Sequence, residues 1–293
     1  MKVLSLCGGI ETGYLALKQL GIPIEEYHTY EISPAAIKVS QHHFPEIVHH
    51  GNVIGADFSQ FKGFDMVIGG PCCQSLSITR ADNAKLSNGL LGKSGIFYEV
   101  LRAIEEIQPR YFLVENVVPK NREDQDRMSE LLGCEPLQIN SNVFVPQDRI
   151  RLYWTNTKVT PPPVTAQHLL MDIMQSDVPQ KYFCPQPYDF YGLDHKVCAT
   201  LHVNTMDMLK RVYSPYFSGP TLTCVSGGYQ EKKVWDGSPR KLTPVEYERM
   251  QGLPDGFTDV GLTDTQRRSL CGNGWTLPVI KWIFKEMLLL TPS

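Results

Sequence analysis

Short apolar runs alternate with segments of helical periodicity in the first half of the chain, and this alternation constrains the fold most. Runs typical of buried strands lie at residues 2–6, 27–33, 64–70, 111–117 and 149–156, with a further strand end at 49–53. Segments of helical spacing lie between them, at residues 12–21, from Pro34 onward and at 96–109. Strands that alternate with helices form βαβ units, so the sequence predicts an α/β fold with a mostly parallel sheet.

Glycines or polar residues stand where several of these strands end. They are Gly8–Gly9, Glu31, Asn52, Cys72–Cys73 and Glu115. Ligands of open parallel sheets bind at the carboxyl ends of the strands. We therefore expect these residues to lie at one edge of the sheet and to form a site there.

The adjacent cysteines Cys72 and Cys73 follow a buried strand in the sequence GGPCCQSLS (69–77). A thiolate held there is a strong nucleophile when a cation or a helix N-terminus lowers its pKa. The alternative is that one or both thiols pack in the core. The eight cysteines of the chain include no CxxC pair and no Cys/His cluster at zinc spacing, so we expect free thiols and no metal.

Glu115, Arg149 and Arg151 are the charged candidates for catalysis. Glu115 follows four apolar residues, and burial favours the neutral acid that donates a proton; the alternative is a structural pair with an arginine. Strand alternation would place Arg149 and Arg151 on one face, suited to an anionic or carbonyl-bearing ligand or simply to solvent. Together with a nucleophilic thiol, these residues favour an enzyme site.

A glycine-rich turn, LCGGIETG (6–13), joins the first strand to the first helix. Glu31 lies 22 residues after Gly9, at the end of the second strand, where a carboxylate accepts hydrogen bonds from a ribose diol. The turn does not match GxGxxG, and a simple helix start beside a solvated acid is the alternative.

The composition changes after Asn156, and the segment TPPPV (160–164) is typical of a linker. We predict a small irregular domain over residues 159–239, with 1–158 and 240–293 forming the larger, catalytic domain. Thr243 is the expected N-cap of a helix that follows it, with Pro244 and Glu246 in its first turn.

No apolar run is long enough to span a bilayer, which favours a cytoplasmic or nuclear protein. The net charge of −3 neither indicates nor excludes a nucleic-acid partner.

Over nearly its whole length, the chain resembles the DNA (cytosine-5) methyltransferases. The matching segments, in the family's order, are LSLCGGIETG (4–13), YEIS (30–33), GNV (51–53), GGPCCQSLS (69–77), ENV (115–117), QDRIRLYW (147–154), RKLTPVEYERMQGLPDGF (240–257) and CGNGWTLPVI (271–280). Several phrases are similar to the eukaryotic de novo branch, whereas the compact form is similar to prokaryotic and phage enzymes of restriction-modification systems. The resemblance implies a Rossmann-like methyltransferase fold with a small target-recognition domain.

The resemblance also implies a mechanism. Cys73 would attack C6 of a cytosine flipped out of duplex DNA, with Cys72 as a bystander. Glu115 would share a proton with N3, Arg151 would hold O2, and Arg149 would orient Glu115 or the catalytic loop. The residues implied to contact DNA are Gln74, Ser75 and Ser77, the last at a phosphate.

The implied methyl donor is S-adenosylmethionine. Its implied contacts are Cys7, Gly8, Gly9, Ile10, Thr12, Glu31, Ile32, Asn52, Val53, Asn273 and Trp275. Two of them depart from the family's pattern, since Cys7 replaces an aromatic residue and Asn52 replaces an aspartate. We expect these two changes together to weaken donor binding by roughly 1–2 kcal/mol.

Four alternatives remain open from the sequence. One is a transfer-RNA cytosine-5 methyltransferase, and another is a catalytically inactive DNA-binding homologue. A third is a small-molecule enzyme with a cysteine nucleophile, and the fourth is a modified donor that delivers a different group. The expected partner is double-stranded DNA, with no membrane and no metal; the oligomeric state and the target sequence are left open.

Overall fold

A computed structural model describes residues 1–71, 95–164 and 167–289 of the chain. The chain divides into two compact units. The first comprises Met1–Ile139, Ile150–Pro162 and Ile280–Ser293, and the second comprises Asn140–Arg149 and Pro163–Val279. Residues 240–279, which the sequence assigns to the catalytic domain, thus belong to the second unit, and the functional role of each unit stays a proposal.

Twelve strands and eight α-helices make up the regular structure of the described residues. The strands are β1 (Lys2–Leu6), β2 (Glu26–Tyr30), β3 (Val48–His49), β4 (Met66–Gly69), β5 (Tyr111–Val117), β6 (Leu137–Asn140), β7 (Ile150–Thr155), β8 (Tyr188–Phe190), β9 (Val197–Leu201), β10 (Arg211–Tyr213), β11 (Lys233–Trp235) and β12 (Pro239–Lys241). The helices are α1 (Thr12–Gln19), α2 (Pro34–His43), α3 (Ile96–Ile107), α4 (Arg122–Leu132), α5 (Asp207–Lys210), α6 (Pro244–Met250), α7 (Asp264–Asn273) and α8 (Leu277–Leu289).

Seven of the strands form a sheet in the order β3-β2-β1-β4-β5-β7-β6. The pairs from β3 to β5 are parallel, and β7 runs antiparallel to β5. The predicted α/β fold with a mostly parallel sheet is therefore confirmed. Chain order reverses between β1 and β4, which is where sheets of this kind leave a crevice at their carboxyl edge.

The strand β4 lies at the centre of this sheet and is apolar on both faces, as buried parallel strands are. Met66, Val67 and Ile68 are at most 1% exposed. Helix α3 packs against the strand, because a Cβ at Gly69 would stand 3.2 Å from Val100. The first unit thus has a close-packed core directly beneath the ends of its parallel strands.

The second unit contains a five-stranded sheet in the order β12-β11-β10-β9-β8. Its core includes Cys198, Leu201 and Val212, each at most 1% exposed. Nearby, Thr243 caps α6 as predicted, accepting a hydrogen bond from the Glu246 amide, while the Glu246 carboxylate accepts one from the Thr243 amide. Within the described residues, no helix is both long and apolar enough to cross a bilayer.

Candidate active site

The register of the parallel strands aligns their carboxyl ends in a row. Leu6 of β1 pairs with Tyr30 of β2 and with Gly69 of β4, and Gly69 pairs in turn with Val114 of β5. The next residue on each strand therefore belongs to one edge of the sheet. Glu115 reaches this edge from within β5, two residues before the strand ends, rather than after its end as the sequence predicted. The register thus places Glu31 and Glu115 at one edge with the turn that begins at Cys7, as predicted, whereas Cys72–Cys73 lie outside the described residues.

The turn after β1 has an unusual backbone. Cys7, Gly9 and Glu11 have φ values of 58°, 59° and 58°, in the left-handed region, where residues with a side chain are strained. The Cys7 amide donates to the Tyr30 carbonyl over 2.8 Å, and the Glu11 amide donates to the Gly8 carbonyl over 3.0 Å. These bonds fix a tight loop that leads straight into α1.

Glu31 closes this loop from the end of β2. Its Oε2 accepts a hydrogen bond from the Gly9 amide over 2.9 Å, a contact that the sequence analysis did not predict. Its Oε1 accepts from the amides of Ile32 and Ser33, over 2.8 and 2.7 Å. Three backbone donors hold the carboxylate in one orientation, which leaves one of its roughly four lone-pair sites, on Oε2, for a donor such as a ribose hydroxyl.

The other predicted cofactor residues of the first unit lie along the same edge. Ile32 is 68% exposed beside Glu31, which leaves an apolar surface for a flat base. Asn52 is exposed after β3, and its Oδ1 accepts from the Ile54 amide over 3.0 Å, whereas Val53 and Ile10 are buried. The side-chain oxygen of Asn52 thus already has one donor, and a carbonyl oxygen accepts two.

The residues of this loop fit a nucleoside cofactor by one further criterion. Thr12, at the start of α1, is 3% exposed, and its hydroxyl finds no hydrogen-bond partner among the described residues. Buried hydroxyls without a partner are rare in native proteins and call for an explanation. A polar ligand seated in the loop would provide that partner.

Glu115 and Arg151 form an ion pair at this edge of the sheet. Arg151 Nε lies 3.1 Å from Glu115 Oε1, and the two side chains are 13% and 11% exposed. A second guanidinium nitrogen, Nη1, donates to the Ile150 carbonyl over 2.8 Å. The two residues expected to contact the same substrate ring are thus neighbours.

Asn116 follows Glu115 in β5 and is a residue that the sequence did not single out. It is 1% exposed, its Oδ1 accepts from the Val117 amide, and its Nδ2 has no partner among the described residues. The segment ENV was visible in the sequence, but the orphaned amide becomes apparent only when burial is known.

Arg149 differs from its predicted position. Strand β7 begins at Ile150, so Arg149 precedes it and does not share a strand face with Arg151. The Arg149 amide donates to Asn140 Oδ1 over 2.8 Å, which holds this residue in the second unit instead of the strand. Its buried guanidinium donates to the carbonyls of Leu222, Gly272 and Gly274 over 3.0–3.2 Å.

Asn273 and Trp275 lie in the second unit, in the turn that Arg149 holds. Asn273 is exposed and accepts a hydrogen bond from the Cys224 thiol, and Trp275 is half-buried. Their predicted contact with the cofactor stays a prediction.

Five predicted residues of the segment after β4 lie outside the described residues, which in this region end at Pro71. They are Cys72, Cys73, Gln74, Ser75 and Ser77. Within the described ranges, no group of three or more His, Cys, Asp or Glu side chains is placed to hold a metal ion.

Comparison with known proteins matches the chain to one family profile and to several individual relatives. The sequence profile of the family described as C-5 cytosine-specific DNA methylase matches residues 1–183 and 196–289. Type II methyltransferase M.SsoII of Shigella sonnei is 26% identical over 261 residues, which cover 81% of this chain and 67% of that protein. Type II methyltransferase M.NlaX of Neisseria lactamica is 24% identical, over 98% of this chain and 96% of its own length.

Solved structures show the same fold. The Dnmt2 methyltransferase of S. pombe superposes with a TM-score of 0.71 at 16% identity, over 97% of both chains. The methyltransferase EhMeth of Entamoeba histolytica gives a TM-score of 0.74 at 16% identity, over 98% of this chain and 97% of its own. At this level of identity, the likeness establishes the architecture.

Proposed function

Because this chain belongs to the C-5 cytosine-specific DNA methylase family, we propose that it transfers a methyl group from S-adenosylmethionine to C5 of a cytosine in duplex DNA. Membership of the family makes it a DNA cytosine-5 methyltransferase. The observation that carries the finer proposal is the Glu115–Arg151 pair at the edge of the sheet that also bears the Gly9–Glu31 contact.

The donor site is assigned to the loop after β1 and the end of β2. Glu31 would accept a hydrogen bond from a ribose hydroxyl at the remaining lone pair of Oε2, and Ile32 would pack on the adenine. The Thr12 hydroxyl would gain the polar partner that it lacks among the described residues. When bound, S-adenosylmethionine supplies an electrophilic methyl group on a sulfonium sulfur.

Cys73 is proposed as the nucleophile. C5 of cytosine belongs to an electron-poor aromatic ring and is a weak nucleophile. The Cys73 thiolate would form a bond to C6, and the electron pair of the C5–C6 double bond would move to C5. C5 would then take the methyl group, while the electron pair of the broken S–CH3 bond would stay on the donor sulfur as a neutral thioether. A base removes the C5 proton, and the electron pair of the C5–H bond re-forms the C5–C6 double bond as the Cys73 sulfur leaves C6. Cys73 ends the cycle as it began.

Glu115 and Arg151 are proposed to stabilise the negative charge that this attack places on the ring. Glu115 shares a proton with N3, and the guanidinium of Arg151 holds both the carboxyl group and O2 of the base. The 3.1 Å contact fixes the orientation of the carboxyl group before the substrate arrives, which removes an orientational cost from the reaction.

The target cytosine cannot react inside a stacked duplex, so it is proposed to flip out of the helix. We assign target recognition to residues 159–239, whose short strands form the second sheet, and DNA contacts to Gln74, Ser75 and Ser77. Because relatives named type II methyltransferases come from bacteria, we propose that the protein acts in the cytoplasm of a prokaryotic or phage-infected cell.

Nucleoside mass spectrometry tests this function. The purified protein is incubated with the donor and either mixed-sequence duplex DNA or transfer RNA. We expect 5-methylcytosine in the DNA, lost with Glu115→Gln and retained with Glu123→Gln, an exposed acid of α4. Product in RNA alone would instead support the RNA enzyme, a different adduct mass would indicate a modified donor, and no product in either would support an inactive homologue.

A further inference from the structure

Glu11, the last residue of the loop after β1, is completely buried beneath that loop. Its Oε1 accepts a hydrogen bond from Thr29 Oγ1 over 2.6 Å, and its Oε2 accepts one from the Tyr27 hydroxyl over 2.9 Å. Both donors lie on β2, the strand that ends at Glu31. Neither the sequence motifs nor the proposed mechanism gives this carboxyl group a role.

The Glu11 carboxyl group also contacts the loop itself. A Cβ on Gly8 would overlap Oε1 of Glu11 and would stand 2.6 Å from Thr29 Oγ1. Gly8 is therefore fixed from below by the side chain of Glu11, while the adjacent Gly9 amide is fixed by Glu31. The two carboxyl groups hold neighbouring residues of the same loop.

The surroundings of Glu11 make its charge state sensitive to pH. Burial raises the pKa of Glu11 to about 7, the negative charge of Glu31 adds to that effect, and the hydroxyls of Thr29, Tyr27 and Ser5 oppose it. The charged or titratable groups that face it are Glu31 and Tyr27, and burial raises the pKa of Tyr27 well out of the neutral range. Strand alternation places His28 of β2 on the face opposite Tyr27 and Thr29, and burial lowers its pKa, so it does not gain a proton near neutral pH.

We propose that Glu11 is a positioning residue of the donor loop and that its protonation is linked to cofactor binding. The loop binds the cofactor when the Glu11 carboxyl group is ionised. This inference rests on the proposed use of S-adenosylmethionine. The ionised carboxylate accepts both hydroxyl hydrogens and keeps Gly8 in place. A proton on either oxygen would face the hydroxyl hydrogen of Thr29 or Tyr27, so that hydroxyl must rotate its hydrogen away and the carboxyl group no longer accepts from both donors, which weakens the support of the loop. An ionised Glu11 also attracts the positive charge of the sulfonium.

Isothermal titration calorimetry with S-adenosylmethionine at about pH 6 and about pH 8 tests the proposal. If only the ionised form binds, affinity falls by about tenfold between the higher and the lower pH, since most Glu11 is protonated at the lower one. Binding near neutral pH should also release protons, which titrations in buffers of different ionisation enthalpy detect.

Two variants separate this role from a structural one. Glu11→Gln should bind with an affinity that changes little with pH. Tyr27→Phe removes one donor to the carboxylate, so the midpoint of the pH dependence should move to higher pH. Glu25→Gln, which changes an exposed acid, should keep the parent profile.

The outcomes are distinguishable. Binding by the parent protein that does not change with pH, or an identical pH profile in the parent and in Glu11→Gln, would overturn the role of Glu11 while leaving the proposed donor intact. If Glu11→Gln does not fold, an unshifted midpoint in Tyr27→Phe would overturn it equally. Absence of binding at every pH would instead overturn the proposed donor, and this inference with it.

Discussion

Arg151 Nε lies 3.1 Å from Oε1 of Glu115, and this ion pair joins β5 to β7 at the carboxyl edge of the sheet. The antiparallel register pairs Arg151 with Val117 and Glu115 with Tyr153. Glu115 and Arg151 therefore lie on the same face of the sheet, offset by two residues along the strands. The sequence left open whether Glu115 is catalytic or is paired with an arginine for structure. The structure shows the arginine partner, and the proposed mechanism uses that partner to orient the acid.

Replacing Glu115 by Gln should remove proton sharing while keeping the size of the side chain. We expect the rate of methyl transfer to fall by about 10²- to 10⁴-fold, the range for general acid–base catalysis. DNA affinity should change by only a few-fold. Single-turnover transfer of a labelled methyl group measures the rate, and filter binding measures the affinity. A rate within threefold of the parent would exclude Glu115 from the chemistry.

Arg151→Lys tests the planar geometry of the guanidinium. Lysine keeps the positive charge but lacks the planar fork with which Arg151 contacts both Glu115 and the Ile150 carbonyl. We expect a loss of roughly 10²-fold in the rate constant, comparable to removal of one oriented donor. Arg110→Lys, at an exposed position before β5, is the matched control and should keep the parent rate. Equal rates in the two variants would contradict the assignment.

Arg149 should act on stability rather than on the chemical step. Its guanidinium donates to three backbone carbonyls of the second unit. Arg149→Ala removes this donor from the carbonyls of Leu222 and Gly272, whereas the Gly274 carbonyl keeps a hydrogen bond from Gln251. Urea denaturation should show a loss on the order of 3 kcal/mol in the free energy of unfolding. Arg122→Ala, which breaks an exposed pair on α4, should cost no more than about 0.5 kcal/mol. Similar losses in the two variants would refute this role.

Restoring the family's residue types at Cys7 and Asn52 should strengthen donor binding. Asn52→Asp and Cys7→Phe restore a charged acceptor and an aromatic surface, and together should tighten donor binding by roughly 1–2 kcal/mol. Calorimetry on the single and double variants checks this. Unchanged affinity in the double variant would mean that neither residue limits binding.

Glu11 should also make unfolding depend on pH. Burial raises its pKa in the folded state from the ordinary 4.5 to about 7. The folded protein therefore holds a proton that the unfolded chain releases, so this group's contribution to stability falls as the pH rises from 4.5 to about 7. Above that range the loss is complete and on the order of 3 kcal/mol.

The difference between the parent and Glu11→Gln in urea denaturation isolates this contribution. The variant should gain stability relative to the parent as the pH rises through this window, and the difference should level off above it. A difference that does not change with pH would mean that Glu11 is ionised throughout.

The central strands of the main sheet were predictable because they are buried on both faces, whereas the half-buried edge strand β6 was not predicted. The runs at β1 and β5 match the predicted ranges, and the hydrophobic period of α3 matches its observed helix closely. In contrast, β8, β10, β11 and β12 are three residues long, too short for an alternating pattern to be recognised. Their pairing depends on contacts distant in sequence.

The candidate site was predictable to the same degree. Glu31 and the glycine loop could be predicted because each comes at the end of a predicted strand. The register of a parallel sheet brings the ends of neighbouring strands close together. Arg149 was misplaced because the side chain of Asn140 holds its backbone amide outside the strand. Glu11 was missed because its partners, Tyr27 and Thr29, are remote in sequence, and no spacing rule connects them.

The measurement that tests the central claim most directly is covalent trapping on duplex DNA that contains 5-fluorocytosine. Fluorine at C5 cannot be lost as a proton, so an enzyme that has attacked C6 and transferred its methyl group stays attached to the base. We predict a complex that survives denaturing electrophoresis, requires S-adenosylmethionine, forms with Cys72→Ser and is absent with Cys73→Ser. A donor-dependent complex that persists in Cys73→Ser, or methylation of DNA by that variant, would contradict the account.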